Sequence, residues 1–439
     1  MRQTSPPLLA LVVTVLVLAP AIAGATTAGP AIADVAPSDS RVADGTPVAD
    51  GTSVGPAATA RNPTLDAAGT IPIIRAQANT TNYLDIRGRD VQRGSYAEAS
   101  LDGSTAVGNA VTRLRGDYAV RSFEVAYANA TTEEERTAVI RAEVNRLAGR
   151  IDSLEARQTA ALEEYNDGDI SSRRFVAELA AVDAGAQSVE TQFDRIVERA
   201  GVFMPGELQT RIDNLRADLV PLQGGVRERA AAAIAGETDA RELYTLTSPT
   251  GIVVTTTDGE RFYREAYLAA NRDPDGEDNF VTEEDSTGIN PANARASELY
   301  PWAYSEDSPE ISRQGTTAVY TFVIDHSQGQ LVTNLDGATR NVFRELQVLR
   351  TNRVPTNTFE NETETLAVRV ESAFGTGPME VAVTDPATGE PLNATVHVGE
   401  YRAGTTGSDG SLWTTATHRT RVVTVRTGDG SVSVEVPTR

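Results

Sequence analysis

From Ile140 to Ala200 apolar side chains recur in alternating steps of four and three residues. Ile140, Val144, Leu147, Ile151, Leu154, Gln158, Ala161 and Tyr165 form one series; Phe175, Leu179, Val182, Ala186, Val189, Phe193, Ile196 and Ala200 form the next. These steps place each series on one stripe with a period of about 3.5, the spacing of a helix–helix seam. Thr132-Glu-Glu-Glu135 opens the first helix as a capping box, the threonine accepting from the third helical amide while Glu135 reaches back. Asn166-Asp-Gly-Asp169 breaks the helix, and so short a loop makes the two helices antiparallel neighbours. A third series, Leu208, Ile212, Leu215, Leu219, Leu222 and Val226, follows Met204-Pro205-Gly206 and should kink at Pro221. A further helix is expected over Thr105–Ala128. Residues 80–240 therefore read as an elongated, antiparallel, coiled-coil-like helical bundle. Its seam is either its own core or a grip for a partner helix.

The chain has no cysteine, so no disulfide or thiolate site can stabilise it and its domains must cohere by packing. Net charge is −22, with 61 acidic residues against 39 basic ones, and every basic residue is arginine. At molar salt the Debye length falls to about 3 Å, and such a surface then repels itself little. A carboxylate-rich, lysine-free composition of this kind resembles that of haloarchaeal proteins. It offers no electrostatic footprint for nucleic acid and no basic run for an anionic membrane.

Arg2, the apolar run Leu8–Ala19 and Ala21-Ile22-Ala23 have the parts of a Sec signal peptide over residues 1–25. The alternative is an uncleaved N-terminal anchor, which would be the chain's only membrane contact. Residues 26–79 are rich in Ala, Pro, Thr and Asp, show no helical or strand period, and read as a disordered linker. An exported protein makes the sequons at Asn79, Asn129, Asn361 and Asn393 candidate glycan acceptors.

Residues 241–355 read as a small α+β domain with an antiparallel sheet: a hairpin of Gly251–Thr257 and Arg261–Tyr267, a short helix capped by Asn290, strands at Val319–Ile324 and Gln330–Asn334, and a helix from Thr339 to Leu349. Residues 360–439 alternate in short runs between Gly, Asp and Pro turns, the pattern of a β-sandwich. Within it, Asp385-Pro-Ala-Thr-Gly-Glu-Pro-Leu-Asn-Ala-Thr-Val-His-Val398 and Gly404-Thr-Thr-Gly-Ser-Asp-Gly410 resemble the carboxypeptidase-regulatory-like, Ig-type sandwich. That resemblance implies a non-catalytic extracellular module. The region from Thr80-Thr-Asn-Tyr-Leu84 to Glu298-Leu-Tyr-Pro-Trp302 is similar to uncharacterised exported proteins of haloarchaea, and implies compartment and architecture but no site residues. The fold class expected is multidomain α+β.

No catalytic residue is identified. His326, His397 and His418 each stand alone, without metal-ligand spacing, and neither G-x-S-x-G nor S-x-x-K occurs. The single metal candidate is Asn271, Asp273, Asp275 and Glu277, which begin like an EF-hand loop. Thr282 stands where the bidentate glutamate belongs, so a structural Ca²⁺ is the most the loop would hold, and no other cofactor is expected. Trp302 is a core anchor or a stacking platform for a sugar. The reading is of a non-enzymatic, secreted or cell-surface structural or interaction protein whose partners are an envelope protein or a second copy, through the helical region. The alternatives are an extracellular ligand-binding or sensor protein using the α+β domain, and a hydrolase with a dispersed acidic site.

Overall fold

The computed structural model describes residues 84–437 apart from positions 374, 420 and 429. The expected leader (1–25), the linker (26–79) and the Asn79 sequon lie outside the described residues. Among the described residues no helix is long and apolar enough to cross a membrane.

The first strand, β1 (Arg93–Ala99), is followed by five helices: α1 (Gly103–Asn129), α2 (Glu133–Asp167), α3 (Ser172–Ala200), α4 (Gly206–Leu219) and α5 (Gly225–Ala235). The local signals act as read. Thr132 and Glu135 close the capping box of α2, and Gly168, at φ 88°, ends that helix in the left-handed conformation. The third series breaks rather than kinks. A 3-10 turn holding Pro221 separates α4 from α5, because Gln223 and Gly224 turn extended there.

Three strands follow, β2 (Arg241–Thr247), β3 (Gly251–Thr257) and β4 (Arg261–Leu268), then α6 (Ile289–Leu299) and α7 (Pro301–Glu306). The N-cap of α6 is Gly288, at φ 68°, so Asn290 lies inside the helix instead of capping it. Four more strands are β5 (Glu310–Arg313), β6 (Val319–His326), β7 (Gly329–Asp336) and β8 (Val342–Arg350). The segment expected as a helix over Thr339–Leu349 is therefore strand β8. These strands make one eight-stranded antiparallel sheet in the order β1-β2-β3-β4-β8-β7-β6-β5. The boundary expected at 240/241 runs through this sheet, since β1 pairs with β2 in full register from Arg93↔Thr247 to Ala99↔Arg241.

The seam residues of α2 and α3 are buried, yet the helices do not form a self-contained bundle. Ile140 to Leu154 pack with Val182 to Ala200, Leu208, Ile212, Phe123 and Tyr127 in a helical core. Nearer the sheet, Ala161, Tyr165, Phe175, Val176 and Leu179 pack with Val226 and Ile234 onto Leu243, Ile252, Val254 and Tyr263. Each such side chain contributes roughly 1.5–3 kcal/mol on burial, so one face of the sheet is as much the helices' core as their own seam.

Gln158, the polar member of the α2 series, accepts from the guanidinium of Arg227 at 2.6 Å. Arg227 in turn faces Glu265 of β4 at 3.2 Å. The backbone N–H groups of Val226 and Arg227 donate to the same carboxylate, and that of Gly224 donates to Asp183 at 2.8 Å. The start of α5 is thus neutralised by two carboxylates from other elements. A Cβ on Gly224 would fall inside the Glu265 carboxylate. Its φ is extended (178°), so the requirement is space and not handedness. Gly224→Ala should therefore displace Glu265 from its three donors and destabilise the protein by about 3 kcal/mol. Urea unfolding in molar NaCl measures this, and a loss below about 0.5 kcal/mol would show that the carboxylate relaxes freely.

The remaining strands are β9 (Asn357–Glu362), β10 (Ala367–Ser372), β11 (Pro378–Thr384), β12 (Thr395–Val398), β13 (Tyr401–Thr405), β14 (Ser411–Thr415), β15 (Arg421–Arg426) and β16 (Ser431–Val436). They form two four-stranded antiparallel sheets, β14-β11-β10-β9 and β13-β12-β15-β16. The strand expected at each alternating run is present, and β9 and β13 are additional. The apolar interior of this sandwich continues without a break into the second face of the large sheet and the helices α6 and α7. Tyr96 donates to the carbonyl of Thr415 at 2.5 Å and stacks on Tyr401 at 4.4 Å, and Tyr244 meets His418 Nδ1 at 2.7 Å.

Candidate functional site

The loop read as a cation site does not assemble one. The amide of Asn271 is committed to the carbonyl of Val342 at 2.6 Å, and Asp273, Asp275 and Glu277 are exposed. Among the described residues no three His, Cys, Asp or Glu side chains are grouped to hold a metal ion. His326 lies edge-on to Trp302 at 5.2 Å, with both ring nitrogens buried and unpartnered. Burial drives its pKa down to about 4, and that of His418 likewise. His397 is on β12, apart from both. Trp302, Ser305, Glu306, Gln328 and Arg353 line an open groove of about 620 Å³, while Tyr304 turns away and donates to Asn293 at 2.8 Å. Of the sequons, Asn129 ends α1 and Asn393 lies in the loop before β12, both exposed, whereas the amide of Asn361 is bonded to the carbonyl of Ser433 at 2.8 Å.

Among the described residues, Asp183, Glu242 and Glu345 are each pushed up by burial to a pKa of about 7. Glu242 has the fewest compensations. One oxygen accepts from the hydroxyl of Thr414, and the other is buried with no partner. A folded-state pKa above the unfolded value means that the folded chain keeps its proton longer. Stability is then highest at low pH and is lost as pH rises from about 4.5 to 7. Glu242→Gln should match the parent near pH 4.5 and exceed it above pH 7 by on the order of 2–3 kcal/mol. Urea titrations at both pH values test this, and equal stability at pH 8 would rule it out.

The feature that stands out is the outer face of α1. Asp102 caps this helix by accepting from the N–H groups of Ser104 and Thr105, both at 3.0 Å. Its inner face buries only Asn109, Phe123 and Tyr127, with Gly116 set against Ser188 of α3. The opposite face carries Val107, Val111, Leu114, Tyr118 and Val125, which are 64, 38, 68, 73 and 61% exposed. At about 100° per residue these five fall within an arc of about 60°, along roughly 27 Å of helix. A soluble helix normally turns its polar side outward, and here a second apolar stripe faces water. Among the described residues the other exposed large apolar side chains are Leu101, just before α1, then Val202, Phe203, Val281 and Val422.

Beside α1 a cleft of about 450 Å³ opens between it, α3 and α5, lined by Arg113, Asp117, Asp183, Gln187, Glu228 and Glu237 among others. The carboxylate of Asp183 is satisfied from within the protein, by Gly224 and Gln187, both at 2.8 Å. The steps of four and three at Val107, Val111, Leu114 and Tyr118 would have identified the stripe in the sequence. The coexisting inner pair Phe123 and Tyr127 obscured it.

Residues 1–239, more than half of the 439, match a domain of unknown function, DUF7096. The chain belongs to that family. Residues 243–355 match a second family of unknown function, DUF7094, and residues 357–434 match an archaeal fibronectin-III type-like domain. No curated protein and no solved structure matches the chain. The DUF7096 region supplies β1 and helices α1 to α5, and the DUF7094 region supplies α6, α7 and the other seven strands of the same sheet, β2 beginning just before it. The C-terminal match is to the fibronectin-III type of Ig-like sandwich, not to the carboxypeptidase-regulatory-like type that residues 385–410 suggested.

Proposed function

We propose that this protein is an exported, non-catalytic interaction protein of the envelope of an extremely halophilic archaeon, and that its working surface is the outer face of α1. The observation that carries the reading is the bare apolar stripe from Val107 to Val125, on a helix mounted on a sheet and sandwich that share one core. An apolar patch of this extent, on the order of 500 Å², is of the size that often marks a functional surface. The leader-like start at Arg2 and Leu8–Ala19, the lysine-free acidic composition and the exposed Asn129 and Asn393 support export to a high-salt exterior.

The test is fractionation of a native host. The protein should be found in the envelope fraction or medium and not in the cytosol, and L114D/Y118D should release it from envelope-bound complexes while leaving it folded. A cytosolic protein, or one indifferent to those substitutions, would overturn the reading. The groove beside Trp302 favours a second reading, ligand capture by the DUF7094 region. A thermal shift with soluble glycans or peptides that Trp302→Ala abolishes would support it.

A further inference from the structure

We propose that the occupant of the α1 outer face is α1 of a second copy, docked antiparallel. The inference rests on the reading above and names its partner. Val107, Val111, Leu114, Tyr118, Arg121 and Val125 continue steps of four and three through the whole exposed stripe. This is the repeat that lets two helices interdigitate. The series is symmetric about residue 116, so an antiparallel mate sets Val107 against Val125, Leu114 against Tyr118, and Val111 against Arg121, whose guanidinium can extend to solvent past the smaller valine.

Charge at contact distance is compatible with the same partner. The chain carries −22, and α2 alone holds nine carboxylates against five arginines. In contrast, α1 has Arg113, Arg115 and Arg121 against Asp117 and Glu124. It is the helix that another copy of so acidic a molecule can approach without facing a surplus of like charge. The area is adequate. The five side chains leave on the order of 500 Å² bare, so two copies would remove roughly 1,000 Å² plus the flanking residues, which approaches the roughly 1,200–2,000 Å² of specific interfaces. Orientation follows from the mounting. Near its start, Asp102 N–H donates to the carbonyl of Ile234 at 3.1 Å, and the helix leads from the sheet toward the far end of α3, where Arg199 lies over the Tyr127 ring. Antiparallel pairing keeps the two sheet bodies at opposite ends, whereas parallel pairing would place them side by side at one end.

Sedimentation velocity of the full chain in molar NaCl, at tens of micromolar, should give a dimer. L114D/Y118D should be monomeric with an unchanged helical circular dichroism signal, because both side chains are exposed. The chain lacks cysteine, so single replacements report cleanly: V107C mixed with V125C should form a disulfide-linked pair, and V107C alone should not. A monomeric wild type, or a dimer that survives L114D/Y118D, would overturn the proposal, and V107C linking to itself would overturn the antiparallel arrangement. A monomer whose L114D/Y118D variant is still released from the envelope would reject the second copy as occupant while leaving the interaction reading intact.

Discussion

Transfer from molar salt to dilute buffer is expected to unfold this protein. The surplus of 22 negative charges is the reason. The Debye length grows from about 3 Å at 1 M salt to about 30 Å at 0.01 M, so each unpaired carboxylate begins to repel others across the whole domain. Surface ion pairs strengthen under the same change. Arg141 with Glu207 at 2.7 Å and Arg216 with Glu190 at 2.8 Å are examples. Each is worth about 0–1 kcal/mol, and together they cannot offset repulsion among carboxylates that have no arginine. The weakest anchorage should yield first: α1, which buries three residues out of 27. Circular dichroism at 222 nm during stepwise dialysis measures the transition, and sodium sulfate should support folding at lower concentration than NaCl. A full helical signal in salt-free buffer would contradict the expectation.

Arg264→Ala is expected to cost about 3–5 kcal/mol, the penalty for stranding buried carboxylates. Arg264 is 1% exposed. Its guanidinium faces Glu345 of β8 at 3.2 Å and Asp85 at 3.4 Å, and donates to the carbonyl of Leu84 at 2.6 Å. Glu345 also accepts from Tyr300, the residue between α6 and α7, from Gln347, and from the N–H of Leu84, at 2.7, 2.8 and 2.7 Å. One cation thus ties the first described residues and β8 together, and Glu345 brings in the junction of α6 and α7. Burial raises the carboxyls of Glu345 and Asp85, and Arg264 opposes that rise for both. Without it Glu345 should hold its proton to still higher pH. The loss should therefore be smaller at pH 5, where a neutral acid replaces the stranded anion, and larger at pH 8. Urea unfolding of the variant at both pH values separates this from lost packing, which would cost the same at each.

That network also explains the strand that the sequence concealed. Along β8 the side chains facing it are Glu345 and Gln347, so the middle of the buried face is polar and apolar alternation is interrupted there. Glu, Leu and Gln favour helices, and with the period hidden their propensity misleads. Strand β1 was hidden for another reason: Ala97 and Ala99 fill its buried side, and alanine gives little pattern. The helical seams were legible because burial on α2 follows one face over many turns, and the large apolar side chains of α3 keep the same steps although its first half is buried all round. The stripe on α1 was legible in spacing but not in meaning, since whether a second apolar face is covered depends on distant parts of the chain. The sandwich could be read because its two sheets alternate cleanly, as in the exposed and buried positions of β16.

The pairing of β1 with β2 has a consequence for the order in which the molecule comes together. Ala99 sits opposite Arg241, so the helical region is topologically one long loop between neighbouring strands of a meander. Closing such a loop in a flexible chain is slow, because the two strands must find each other across a large separation. Helices form from local contacts and do not wait for that encounter. Once α1 and α5 have packed on α3, where the N–H of Asp102 meets the carbonyl of Ile234, Ala99 is expected to lie within reach of Arg241, so that β1 can pair with β2. The helical region thereby sets the register of the strand pair on which it stands.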